Sequence, residues 1–173
     1  MILDLRQYKD SDASVITQWL RNEYAFRQWS ADRYESFPIT AEDMNSYYSQ
    51  YSDEDLYKLT AVDENRIVGH LTIRFTDDAR KIARLGFVIV DDAKRGQGYG
   101  KQFVLSALKY AFDELKADKV TLGVFENNTP AIQCYLSCGF KTVEKENIES
   151  YSCMGETWNC IEMEITYEQY YKV

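Results

Sequence analysis

The spacing of apolar residues changes period several times along the chain. Residues 2–8 alternate apolar and polar, the period of a half-buried strand. Asp10-Ser11-Asp12 then offers caps for a helix carrying Val15, Ile16, Trp19 and Leu20. The stretch 21–37 is rich in aromatics and arginine and reads as part helix, part loop. Thr40-Ala41-Glu42-Asp43 has the form of a capping sequence for a short helix reaching about Tyr51. Residues 56–62 and 66–75 read as strands joined by the turn Asp63-Glu64-Asn65, and 82–90 as a third strand.

Strands then alternate with helices. One helix begins inside a glycine-rich turn and carries Val104, Leu108, Ala111, Phe112 and Leu115 as an apolar stripe. Residues 119–125 form a strand, reached through Lys116-Ala117-Asp118. Asn127-Asn128-Thr129-Pro130 opens a short helix, with Pro130 in the first turn, where it costs no hydrogen bond. Gly139 ends that helix as a C-cap. Strands are expected over 140–146 and 157–167. A meander followed by strand–helix–strand–helix–strand and a closing strand predicts an α/β (α+β) fold with a partly parallel sheet centre. No repeat or Gly/Ser-rich linker interrupts the sequence, so residues 1–173 read as one domain, long enough to bury a core.

Composition narrows the function. Hydrophobic residues make up 45% and charged residues 28%, a soluble balance, and the apolar runs are too short to cross a bilayer. The start, Met1-Ile2-Leu3-Asp4-Leu5-Arg6, lacks a basic stretch followed by an apolar one, so a cytoplasmic location is expected. The net charge of −8 repels phosphate backbones and disfavours nucleic-acid binding. Cys134, Cys138, Cys153 and Cys160 include no Cys-x-x-Cys pair, and His70 is the one histidine. No structural zinc or other metal is expected, and the thiols read as reduced and buried.

The segment from Gly86 to Lys101 carries the chemistry. A buried strand ends, Arg95-Gly96-Gln97-Gly98-Tyr99-Gly100 follows, and an amphipathic helix starts. Such a turn is an anion cradle: glycines permit positive φ, and successive N–H groups converge on phosphate oxygens at a helix N-terminus. Lys94, Arg95 and Lys101 add positive charge. The same spacing also suits a plain strand-to-helix turn. Spelling excludes two rival cradles. A Walker A loop needs Gly where Arg95 sits and Ser or Thr where Gln102 sits, and the dinucleotide fingerprint needs Gly where Lys101 sits.

Arg95-x-x-Gly98-x-Gly100 resembles the acyl-CoA motif of the GCN5-related N-acetyltransferase (GNAT) family. The family's second signature is similar to Asn128, Ala131-Ile132, Tyr135 and Gly139-Phe140. The likeness extends over essentially the whole chain, is tightest over 85–141, and touches the ribosomal-protein alanine acetyltransferase branch at Val68-Gly69-His70. It implies a mixed sheet of about seven strands, splayed between the fourth and fifth and flanked by helices. It also implies acetyl-CoA as cosubstrate, with Val88, Ile89 and Val90 pairing with the pantetheine arm. Amides from Gly96, Gln97, Gly98, Tyr99, Gly100 and Lys101 would hold the pyrophosphate beside Arg95, and Asn128 would meet the arm near the thiol. A backbone N–H near Ile89 would serve the oxyanion, and Tyr135 would be the general acid for the departing thiolate. The acceptor would be a primary amine, on a peptide N-terminus or a small molecule.

The acceptor half is less legible. Some relatives place a glutamate where this chain has Gly123, and Arg84 stands near another frequent position for a base. The base is therefore a water chain or a residue of 21–37, or the chain acts on an unusual amine; the alternative function is a coenzyme-binding sensor or scaffold that has lost catalysis. His70 reads as a packed strand residue, and Glu126 stands near a strand end. Tyr24, Phe26, Trp29, Tyr34 and Phe37 suit an acceptor pocket or a core equally. Tyr151, Trp158, Tyr167, Tyr170 and Tyr171 are candidates for a homodimer contact.

Overall fold

The computed structural model describes residues 3–172, so Ile2, the first residue of the alternating segment, lies outside the described residues. Strand β1 (Asp4–Gln7) leads to a short helical region, α1 (Ala13–Ile16), α2 (Glu23–Ser30) and α3 (Ala41–Tyr48). A meander follows: β2 (Tyr57–Asp63), β3 (Arg66–Phe75) and β4 (Ile82–Val90). Helix α4 (Tyr99–Lys109) runs on through a wider turn to Glu114, then β5 (Lys119–Phe125) and α5 (Thr129–Ser137). The chain closes with β6 (Lys141–Thr142), β7 (Ser150–Cys153), β8 (Glu156–Thr166) and α6 (Tyr167–Tyr171). The sheet order is β1-β2-β3-β4-β5-β8-β6, with β7 also on β8. Only β4 and β5 pair in parallel, giving the mixed α/β sheet that the element order predicts.

Two cores lie on opposite faces of this sheet. Leu71, Ile73, Leu85, Leu122 and Met163 meet Phe103, Leu108 and Phe112 of the α4 region and Phe140 after α5. On the other face Ile89 packs beneath Ile16, Phe26, Met44 and Tyr48 from α1–α3. His70 is fully buried there, paired through Nε2 with the Tyr48 hydroxyl at 2.7 Å, and burial pushes it down to about 3. It is the packed strand residue that its sequence context suggests.

Four expectations need correction. The helix expected after Asp10 is broken: a tight turn over 10–12, one α-turn, then another tight turn over 17–19. Val15, Ile16 and Thr17 are consecutive β-branched residues, and Thr17 Oγ1 donates back to the Ala13 carbonyl at 2.8 Å, which bends the chain. The strand expected over 140–146 shrinks to two residues, and β7 appears instead as an eighth strand. Met154 and Gly155, at φ 52° and 76°, make the two-residue turn that joins β7 to β8. The last strand stops at Thr166, whose side chain and Gln169 cap α6 reciprocally, a signal readable in the sequence. Trp158, one of the candidates for a homodimer contact, is buried within the chain against Phe125 and Tyr24.

Asp12 ties the N-terminal helices to the sheet. It is 2% exposed, accepts from both terminal nitrogens of Arg6 (2.7 and 2.9 Å), and also accepts from the Lys9 amide and the Thr60 hydroxyl (2.9 Å each). Burial alone would raise its carboxyl; the Arg6 guanidinium, the Lys9 amide and Thr60 outweigh it, and the net direction is down. A depressed folded value contributes stability above the unfolded Asp value of about 3.9, lost as pH falls through the lower folded value. Asp12→Ala is expected to cost about 3 kcal/mol in urea unfolding at pH 7 by stranding Arg6 and Thr60, with a smaller gap below pH 3. An equal cost at both pH values would remove the linkage argument.

Candidate active site

The centre of the sheet comes apart. β4 and β5 are in register from Ile82↔Lys119 to Leu85↔Leu122, and there the pairing stops, although β4 runs on to Val90 and β5 to Phe125. The backbone of Gly86–Val90 therefore has β3 on one side and a cleft on the other. The cleft has a volume of about 850 Å³ and reaches from α2 across the strand ends to α4 and α5.

A bulge sets what β4 presents. Gly69 and His70 pair with Val90 and Ile89, but Thr72 pairs with Gly86, so one extra residue sits in β4. Phe87 takes φ 50°, uncommon for a bulky residue. The side-chain phase flips across it. Ala83 and Leu85 face the α4–α5 core before the bulge; Val88 and Val90 do so after it, while Phe87 and Ile89 face the N-terminal helices. Trp29 holds the bulge, its indole N–H donating to the Phe87 carbonyl at 2.9 Å with the rings 5.0 Å apart.

Beyond β4 the chain turns through Asp91, whose side chain accepts from the Ala93 amide. Gly96 (φ 72°) and Gly98 (φ 85°) are left-handed, Gly98 is the N-cap of α4, and open space surrounds the position of a Cβ at each. The first-turn amides of α4 thus face the cleft beside Arg95 and Lys101. Gly100 is conventionally helical. A Cβ there would make ordinary van der Waals contact with the Cys134 sulfur at 3.5 Å, and Cys134 lines the cleft wall. Two predicted residues turn their side chains elsewhere: Gln97 donates to the Ala93 carbonyl at 2.9 Å, and Tyr99 is buried with its hydroxyl on Asp63 at 2.6 Å.

Helix α5 supplies the other wall. Asn128 is its N-cap, accepting from the Ala131 amide, with Pro130 in the first turn. Tyr135 lies on the cleft, its ring edge-on to Phe140, and burial raises its hydroxyl well above the ordinary tyrosine value. Val88, Ile89, Val90, Arg95, Gly96, Gly98, Gly100, Lys101, Asn128 and Tyr135 all line this one cleft.

The far end is walled by Leu20, Tyr24, Ala25, Gln28 and Trp29. Gln28 Nε2 reaches Asn127 Oδ1 at 3.1 Å and bridges α2 to the β5–α5 loop. The aromatic segment is thus divided: Phe26 and Tyr34 are core, with Phe37 packed on them, whereas Tyr24 and Trp29 face the cleft. Among the described residues, no Asp, Glu or His lines it. Glu126 accepts from Asn159 at 3.2 Å away from the opening, and Glu162 pairs with Arg84.

Comparison with known proteins follows this geometry. A family model described as the Acetyltransferase (GNAT) family matches residues 17–140. The SPbeta prophage-derived uncharacterized N-acetyltransferase YokL of Bacillus subtilis (strain 168) is 32% identical over 106 residues, 60% of this chain and 59% of its own. The L-amino acid N-acetyltransferase AaaT of Escherichia coli (strain K12) is 30% identical over 86 residues, 49% of this chain and 52% of its own. The matched region spans only about half to three fifths of these two relatives. A spermidine N-acetyltransferase from Vibrio cholerae, crystallised with CoA and spermine, superposes with a TM-score of 0.82 at 22% identity over 98% of both chains, a likeness of fold.

Trp29→Phe keeps the ring and removes the donor to Phe87. The expected cost is about 1 kcal/mol, read as a fall in melting temperature of roughly 2–4 °C for a chain of this length. A variant as stable as the parent would mean that β3 alone holds the bulge.

Proposed function

The chain belongs to the acetyltransferase (GNAT) family, and we propose that it transfers an acetyl group from acetyl-CoA to a primary amine by direct attack. One observation carries this reading: the parted strands, the glycine cradle and Tyr135 open onto a single cleft. The residues present fit the cosubstrate. Unpaired groups of Val88, Ile89 and Val90 accept the pantetheine arm as an added strand. The cradle from Gly96 to Lys101, with Arg95, takes the pyrophosphate, where the end of α4 favours negative charge. Asn128 stands at the start of α5 where the arm passes toward the thiol end.

Acetyl-CoA supplies an activated thioester. The chain's part is to place it and to handle charge and protons. The amide near Ile89, on the strand edge beyond the bulge at Phe87, would donate to the oxygen on which negative charge develops. Tyr135 keeps its proton through the neutral range, as a tyrosine does and the more so with burial raising its hydroxyl, and its place on the cleft makes it the donor to the departing thiolate. Tyr24, Gln28 and Trp29 form the acceptor wall. With no carboxylate or imidazole on the cleft among the described residues, water removes the ammonium proton of the acceptor. His70 is sealed beneath Tyr48 and takes no part.

Calorimetry with acetyl-CoA and turnover with an amine panel test the reading, and no binding by the purified chain would end it. Binding without turnover of any amine favours a sensor of the same fold. Tyr135→Phe is expected to lower kcat by about 100-fold or more while the coenzyme Kd stays within a few-fold. Unchanged turnover would remove Tyr135 as the acid. Without a protein base, kcat/KM should rise with pH through the acceptor's own pKa and shift when an amine of different pKa is supplied.

A further inference from the structure

Next to the opening, the face of the sheet that carries α1–α3 bears a shelf of guanidinium groups. Arg74 and Arg84 are direct cross-strand partners of β3 and β4, so both side chains leave the same face. Opposed like charges are unfavourable there, and one of the two is neutralised. Arg84 makes a two-pronged pair with Glu162 (2.6 and 3.2 Å) and also reaches Thr121 at 3.3 Å. Glu162 is shared with Lys145 at 3.6 Å. Among the described residues, Arg74 has no carboxylate partner, and it is open to solvent. Partial desolvation, then Arg84 and Arg33, lower its pKa against a smaller opposing pull from Tyr47 and Tyr51. Arg33 pairs with Asp32 and lies over the Tyr151 ring. This cluster therefore holds four cations (Arg33, Arg74, Arg84, Lys145) and three anions (Asp32, Glu162 and Glu149, which accepts from the Tyr151 hydroxyl), a local excess of one positive charge in a chain of net charge −8.

The shelf adjoins the splay. Thr72 and Gly86, the next cross-strand pair on that face, stand about 7 Å along the strands from Arg74 and Arg84. Gly86 and Gly123 both line the cleft. A Cβ at Gly123 would lie 2.8 Å from an Arg84 nitrogen, so glycine is what allows that guanidinium to cross β5. Arg84 thus occupies the space beside a strand position from which a carboxylate would otherwise attract a cationic acceptor.

We propose that this shelf binds a carboxylate on the acceptor, with Arg74 as the engaging group, so that the acceptor is an amino-acid-like amine and not a polyamine. The proposal rests on the acetyl-transfer reading and names its substrate class. A polycation meets excess positive charge on the shelf and no carboxylate in the cleft. An amino acid gains a charge-assisted pair. The guanidinium groups also disfavour a nearby ammonium, which promotes the neutral amine that must attack where no protein base is available.

The test compares the standard amino acids with phenethylamine and isoamylamine, the decarboxylated counterparts of L-phenylalanine and L-leucine, and with spermidine. Acetyl-CoA turnover should favour at least one amino acid over both monoamines and spermidine by about tenfold or more, and Arg74→Gln should raise its KM about 10- to 100-fold with little change in kcat. Preference for spermidine or a monoamine, or an Arg74→Gln effect equal for carboxylated and decarboxylated acceptors, would overturn the proposal. A second readout needs no turnover: amino acids titrated calorimetrically into CoA-loaded protein should bind the parent and bind Arg74→Gln more weakly. CoA binding without amino-acid binding sinks the shelf alone; absent CoA binding sinks the acetyl-transfer reading.

Discussion

Everything in this site depends on two parallel strands that stop pairing halfway. Past Leu85 and Leu122, the inner edge of β4 has no partner in the sheet. Unpaired backbone groups inside a protein are costly unless something meets them. Here a cleft runs along that edge, so the groups remain available to a ligand with amides of its own. The opening thus serves both as a gap in the sheet and as a preformed strand-addition site.

The bulge at Phe87 makes the gap specific. By inserting one residue it reverses the side-chain phase of β4, placing Val88 and Val90 on the α4–α5 side and Ile89 beneath the N-terminal helices. Trp29 links this backbone distortion to α2, which also carries the acceptor wall. Asp12 in turn fastens the start of the helical region to β1 and β2. The α2 wall of the cleft and the bulged backbone of β4 are therefore positioned together through Trp29.

The two faces of the sheet divide the chemistry electrostatically. On the α4–α5 face, the glycine turn, the N-terminus of α4 and Lys101 offer positive charge to the cleft. On the other, Arg84 lies across Gly123 where a side chain would otherwise stand, and Glu162 satisfies it. With an arginine lying across a glycine there, that face offers a guanidinium already paired with Glu162.

Local sequence determined much of this. β4 and β5 fall where their apolar runs place them, Asn128 and Pro130 start α5, Gly139 ends it, and Gly96 and Gly98 adopt the positive φ their turn requires, because each of these depends on a few neighbouring residues. The hairpin of β7 and β8 escaped because Met154-Gly155 is a weak turn signal and β7 is only four residues long. Other features had no local signal at all. A bulge appears only when the β3 and β4 registers are laid side by side, Trp29 finds Phe87 58 positions away, and Arg84 finds Glu162 78 positions away. The sequence could write the coenzyme half because a cradle is built from consecutive amides; the acceptor half is assembled from side chains of four strands and a helix, and only their packing decides which of them meet.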